Sequence, residues 1–164
     1  MDAIVITGPT ASGKSEVSVK LAELINGEII SADSAQVYMG LDIGTAKPEK
    51  IVQDKLKHHL LDIRDPSEIY TVANFRKDAL RIVYEIKDRG KVPIIAGGTM
   101  LYLKALREGL ADLPAANSSV RESIEANALK YGWAKIHTDL KVIDPISAAR
   151  IKPNDSQRLQ RALE

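Results

Sequence analysis

The segment Gly8-Pro9-Thr10-Ala11-Ser12-Gly13-Lys14-Ser15 restricts this chain more than any other stretch of it. Its spacing is G-x-x-x-x-G-K-S, the pattern of a loop whose backbone N–H groups turn inward around an anion. The pattern has meaning only between a strand and a helix, and both flanks supply that context. Ala3 to Thr7 is a short β-branched run that ends at Gly8-Pro9 and reads as a buried strand. Behind the loop, Val17, Leu21, Leu24 and Ile25 recur at helical spacing, which predicts a helix with those residues on its buried face, and Asn26-Gly27 stops it. Glu28 to Ser31 then predicts a second strand. Strand, glycine loop, helix, strand is a βαβ unit, so the fold class is α/β with a parallel sheet.

Further elements extend that core. Gly40 to Pro48 is loop-like, and Leu60 to Ile63 predicts another short strand. Thr71 is placed to cap a long helix whose apolar face runs through Val72, Phe75, Ala79, Ile82, Val83 and Ile86, with Gly90 just past its end. Val92 to Ala96 predicts a strand running into Gly97-Gly98-Thr99, followed by an apolar helix around Met100 to Leu106. From Leu110 to Ser119 the composition is that of a linker. Beyond it, Ser119 and Glu122 have capping-box spacing. Val120, Ile124 and Ala128 share one helical face, and Trp133, Ile136, Leu140 and Ile143 another. Asp144-Pro145 and Pro153-Asn154 open two more helices. The expected division is a phosphate-binding α/β core over residues 1–112 and a helical segment over 113–164.

Composition excludes little beyond cysteine chemistry. At 164 residues with 45% apolar content the chain suits one compact domain and a small appendage. Without cysteine it has no disulfide, thiolate metal site or cysteine nucleophile, which fits a reducing, cytoplasmic setting. A net charge of +1 neither announces nor forbids a nucleic-acid partner, since a binding patch is local. The N-terminal stretch predicts neither a signal peptide nor a membrane span.

The residues around the loop carry the chemistry. Gly8 to Ser15 should hold phosphate through its amides and the helix dipole, with Lys14 as a cation and the Ser15 hydroxyl as a ligand for Mg²⁺. Such a loop commonly serves ATP or GTP. A nucleotide hydrolase would also need an apolar strand ending in an aspartate, yet Val92 to Ala96 ends in Gly-Gly-Thr, and Leu60-Leu61-Asp62 is a weaker substitute. The second strand ends in Ser31-Ala32-Asp33, beside the loop in a parallel sheet. Asp33 there is a candidate general base, or else a turn cap or a water-mediated partner of Mg²⁺.

Five segments resemble the bacterial tRNA dimethylallyltransferases, also called isopentenyltransferases. They are GPTASGKS, SADSAQVYMGLDIGTAKP, HHLLDIRDPSEIYTVANFRKDA, PIIAGGTMLYLKAL and DPISAARIKPNDSQRLQRALE, in the family's order and across essentially the whole chain. The resemblance implies a P-loop NTPase-like parallel sheet flanked by helices, with a small all-helical insertion segment. It implies that the loop Gly8, Pro9, Thr10, Ala11, Ser12, Gly13, Lys14 and Ser15 binds dimethylallyl diphosphate, with Mg²⁺ at Ser15. It implies transfer of the dimethylallyl group to N6 of adenosine 37 in tRNAs reading codons that begin with U, with Asp33 as base and Lys14 and Ser15 assisting departure of diphosphate. Contact with the tRNA anticodon stem-loop falls by resemblance to Asp33, Ser34, Ala35, Gln36, Thr99, Arg121, and Gln157, Arg158, Leu159, Gln160 and Arg161. The expected protein is a cytoplasmic monomer that does not enter a membrane. Family members run to nearly twice this length and carry a downstream arginine at the diphosphate, so little transfer by this chain alone is expected.

Other residues have plainer readings. His58 and His59 suggest a metal ion, but adjacent residues on a strand face opposite ways and do not easily share one, so packing or loop hydrogen bonding is their plainer reading. Lys47 is either solvated or adds charge near the diphosphate. Trp133 belongs to a helical core stripe. The basic stretch Arg150, Lys152, Arg158 and Arg161 is a solvated surface by itself and a phosphate-backbone contact if the resemblance holds. Two rival functions remain open: a P-loop small-molecule kinase of shikimate-kinase type, and a phosphate- and RNA-binding module without turnover.

Overall fold

The computed structural model describes residues 2–111, 114 and 116–164. The chain divides into two compact units, Met1–Leu110 and Ala111–Glu164. The expected boundary between residues 112 and 113 falls outside the described residues.

The first unit is built on four parallel strands in the order β1-β4-β2-β3. These are β1 (Ile4–Thr7), β2 (Gly27–Ser31), β3 (His58–His59) and β4 (Val92–Gly97). Because a strand alternates its faces, neighbouring residues of β2 and β4 go to different layers. Ile29 and Ile94 pair across the sheet and pack with Ala22 on the face covered by α1 (Lys14–Leu24). Ile30 and Ile95 pair one step along and join Phe75, Ile82 and Ile86 of α3 (Val72–Asp88) on the other face. Both central strands are therefore apolar on successive residues, as a sheet buried on two faces requires. Phe75 stacks on Tyr102 of α4 (Met100–Glu108), ring centroids 4.0 Å apart, which fixes those two helices to each other.

Three expectations are corrected. The strand β1 lies at one edge of the sheet with Ile4 and Val5 exposed rather than buried, because only one neighbouring strand covers it. The strand at the other edge is His58–His59, not Leu60 to Ile63: Leu60 and Asp62 have φ of 62° and 53°, left-handed values that no strand accepts. On α1 the buried residues are Ser18 and Ala22, while Val17 and Leu24 are exposed. Small side chains let the helix lie close to the sheet, and the Ser18 hydroxyl is satisfied by the Lys14 carbonyl at 2.6 Å. A short helix, α2 (Lys50–Lys55), follows the Gly40–Pro48 loop; it buries no residue, so apolar periodicity gives it no signal. Thr71 caps α3 as expected, in a reciprocal capping box with Asn74.

The second unit contains α5 (Ser118–Tyr131), α6 (Trp133–Ile143), α7 (Pro145–Arg150) and α8 (Ser156–Leu163). Ala128, Ile136, Leu140, Ala148 and Leu159 form its core, with Trp133 packed against it. Ile143, expected on that stripe, is exposed. Asn117, rather than Ser119, caps α5 by accepting from the Val120 amide. Asp144 caps α7 as expected. Asp155 caps α8, which begins just after the Pro153-Asn154 turn.

Candidate active site

Parallel strands bring their carboxyl ends to one edge, and the glycine loop and Asp33 both lie there. The loop runs from β1 into α1, with Gly13 at φ 81° as the N-cap and no side chain capping the helix. The first-turn amides of α1 are thus left to an anion, reinforced by the helix dipole. Lys14 Nζ donates to the Pro9 carbonyl at 3.0 Å and so lies folded over the loop. Gly97 lets β4 reach the same edge: a Cβ there would stand 2.2 Å from the Ala32 carbonyl oxygen. Gly98 packs beside the loop, where an added Cβ would lie 3.6 Å from the Gly8 oxygen and 3.9 Å from Lys14 Cε.

Asp33 is held with one oxygen occupied. Oδ1 accepts from the amides of Ala35 at 2.9 Å and Gln36 at 3.4 Å, which leaves Oδ2 for another partner. Ser34 is tied to the end of β4, its amide donating to Thr99 Oγ1 at 3.0 Å, while the Thr99 amide donates to the Ala32 carbonyl. Asp33, Ser34 and Thr99 thereby form one fixed rim. Thr10, Lys14, Ser15, Asp33, Ala35 and Gln36 line a single cavity of about 590 Å³. Strand parity explains its floor, since Ile29, Ser31 and Asp33 follow one another on the α1 side of β2 and all three line it. From there the cavity continues to His58 on β3.

The two histidines are structural. His58 Nδ1 lies 2.8 Å from the Leu56 carbonyl and His59 Nε2 lies 2.6 Å from Glu28 Oε2. Asp62 is no metal carboxylate at a strand end, because it sits in a turn and pairs with Lys47 at 2.6 Å. Lys47 itself meets neither expectation: its side chain is 4% exposed, and it lies outside the cavity lining. Among the described residues no cluster of three histidines or carboxylates could hold a metal.

The residues expected to meet RNA in the second unit divide sharply. Gln157 and Arg158 are exposed. Leu159 is fully buried, its side chain spent in the core of its unit. Arg121 and Arg161 both pair with the buried side chain of Glu164, at 3.0 and 2.7 Å, and Arg161 also donates to the Pro114 carbonyl. Gln160 donates to Glu125 at 2.9 Å. These pairings were illegible in sequence, where Arg158 and Arg161 look alike.

A parallel sheet between helices, with a glycine loop opening α1 and a carboxylate at the end of β2, defines a P-loop NTPase-like α/β protein. Comparison with known proteins narrows that class. The IPP transferase family model matches residues 36–164, and the chain belongs to that family. It is 55% identical over 161 residues to the tRNA dimethylallyltransferase of Bordetella pertussis, covering 98% of this chain and 51% of that protein. With the tRNA dimethylallyltransferase of Nitrosomonas europaea it shares 54% over 162 residues, covering 99% and 51%. The chain thus spans about half the length of the curated relatives it matches. Among solved structures it resembles the full-length tRNA isopentenylpyrophosphate transferase of Bacillus halodurans, with a TM-score of 0.66 and 45% identity over 99% of this chain and 54% of that one. A eukaryotic dimethylallyltransferase acting on tRNA gives a TM-score of 0.83 at 34% identity, over 99% and 40%. No described helix is long and apolar enough to cross a membrane.

Proposed function

We propose that this chain carries the donor site and the base of a tRNA dimethylallyltransferase. In this reading the dimethylallyl group of dimethylallyl diphosphate passes to N6 of adenosine 37 in tRNAs reading codons that begin with U, and diphosphate leaves. The observation that carries it is Asp33: one oxygen is fixed by two amides and the residue lines the same cavity as Lys14 and Ser15. The loop amides and Lys14 hold the diphosphate and stabilise the charge that gathers on it as the allylic carbon–oxygen bond breaks. The free oxygen of Asp33 accepts the proton of the exocyclic amine as nitrogen attacks that carbon. The adenine must leave the anticodon-loop stack to reach it, past the rim formed by Ser34 and Thr99.

A hard oxygen at Ser15 beside a phosphate-binding loop suits Mg²⁺, which takes one or two protein oxygens and completes its shell with phosphate and water. When bound, the ion adds positive charge against the leaving diphosphate. Further RNA contact falls to Gln157 and Arg158, and the working protein is a cytoplasmic monomer. The test is a transfer assay with labelled dimethylallyl diphosphate and unmodified tRNA, run on this chain and on a form extended to its relatives' length. Calorimetry accompanies it. Dimethylallyl diphosphate should bind more tightly than ATP, and Lys14→Ala should abolish binding. Tighter ATP binding with phosphate transfer to a metabolite would overturn the proposal.

A further inference from the structure

Two sets of apolar residues help line the cavity, beside the charged Glu16, Lys20 and Glu23 of α1. Val19 and Ile29 come from α1 and β2, and Ala46, Pro48 and Val52 from the segment after Asp33. The first set is anchored by the helix and sheet. The second comes largely from the Gly40–Pro48 loop, which contains no strand or helix of its own, and Ala46 in it holds a left-handed φ of 51°.

Several side chains hold that loop: Gln53 of α2 donates to the Pro48 carbonyl at 2.8 Å and Thr45 Oγ1 to the Leu41 carbonyl at 2.7 Å, and Gln36 and Lys47 bind its middle. Gln36 Nε2 donates to the carbonyls of Thr45 and Ala46, each at 3.0 Å, and Gln36 Oε1 accepts from the Ser31 hydroxyl at 2.9 Å. Its amide group is therefore spent inside the protein. Lys47 Nζ donates to the Tyr38 carbonyl at 3.0 Å, to Asp42 at 2.7 Å and to Asp62 at 2.6 Å. These three acceptors use all three ammonium protons. Burial opposes the charge on Lys47, but the two carboxylates outweigh it and raise its pKa. A buried charge of this kind adds little net stability, because desolvation offsets the attraction; what it fixes is geometry.

We infer that Lys47, acting with Gln36, is a positioning residue that sets the apolar wall against which the hydrocarbon part of the prenyl donor packs. The inference rests on the reading that the donor's diphosphate sits in the glycine loop. It separates two parts of the ligand: the loop amides and Lys14 hold the phosphates, whereas the bracketed wall recognises the carbons.

Calorimetry without tRNA tests this, using dimethylallyl diphosphate and inorganic pyrophosphate as probes in the presence of Mg²⁺. Lys47→Met should weaken dimethylallyl diphosphate about tenfold, the equivalent of one or two buried methyl contacts. Pyrophosphate affinity should stay within about twofold, because Lys47→Met leaves the glycine loop Gly8–Ser15 untouched. Lys47→Arg should restore part of the difference, since it keeps the charge. Gln36→Met should repeat the Lys47→Met result by releasing the other bracket, and serves if Lys47→Met fails to fold. Equal weakening of both probes, or of neither, in the folded variants overturns the inference and leaves the donor reading intact. A wild-type chain that binds both probes equally overturns this inference alone, since the hydrocarbon then meets no wall, whereas one that binds neither probe overturns the donor reading and this inference with it.

Discussion

At the scale of single residues, the site depends on which polar groups are already spent. Asp33 has one committed oxygen and one uncommitted, the condition for a base whose position must not drift. In a catalytically complete form, Asp33→Asn is expected to lower transfer by about 10² to 10⁴, the usual contribution of a general base. Diphosphate binding should stay nearly intact, because Lys14 and the loop amides hold that end. Loss of affinity that excess Mg²⁺ restored would instead make Asp33 part of the metal's shell. The glycine loop, Lys14 and Asp33 were legible because each stands at a strand end that pattern alone could find. The lysine bracket was not. Lys47, Asp42 and Asp62 are spread across two loops, and only the left-handed turn at Asp62 brings the last of them to the ammonium group.

At the scale of elements, legibility followed the size of the buried side chains. The helix α3 announces itself with Phe75, Ile82, Val83 and Ile86 on one face, and all four are buried. The helix α1 misleads, since its buried face is made of Ser18 and Ala22, and its larger apolar residues Val17 and Leu24 face outward. The strand β3 is two residues long and owes its place to pairing with β2. That pairing is reinforced by a buried carboxylate. Glu28 on β2, 2% exposed, bonds His59 on β3, Arg89 just after α3 and Lys91 just before β4. Burial alone would raise its pKa, but the bonds from His59, Arg89 and Lys91 outweigh that and hold it at about 2, below its ordinary 4.5. Burial lowers the His59 pKa below 6.5 against the pull of Glu28, so a neutral ring donates to the carboxylate. Both groups bind protons more readily in the unfolded chain, so acidification costs stability. The loss should begin as pH falls below 6.5 through His59, and continue from 4.5 towards 2 through Glu28. Urea midpoints measured across that range check this. Glu28→Gln should cost about 1–3 kcal/mol at neutral pH and flatten the lower part of the curve.

At the scale of the whole molecule, the two units have separate cores. Of the arginines in the second unit that sequence marked as RNA contacts, Arg158 is the most exposed, its side chain 74% open with Asp155 at 3.3 Å. Arg158→Ala should weaken tRNA binding and flatten the salt dependence by about one unit, the signature of one lost phosphate contact. Arg121→Ala and Arg161→Ala should act chiefly on the stability of their unit, because both side chains are engaged with Glu164. Filter binding over a salt series, beside melting curves, separates the two effects; an unchanged slope in Arg158→Ala would make that residue plain surface. The packing of Trp133 against the second core has a practical corollary. It is the only tryptophan in the chain. Excited at the red edge of indole absorption, the second unit emits and the first stays dark. An emission change on adding pyrophosphate would therefore report a signal carried from one unit to the other, read without any attached dye.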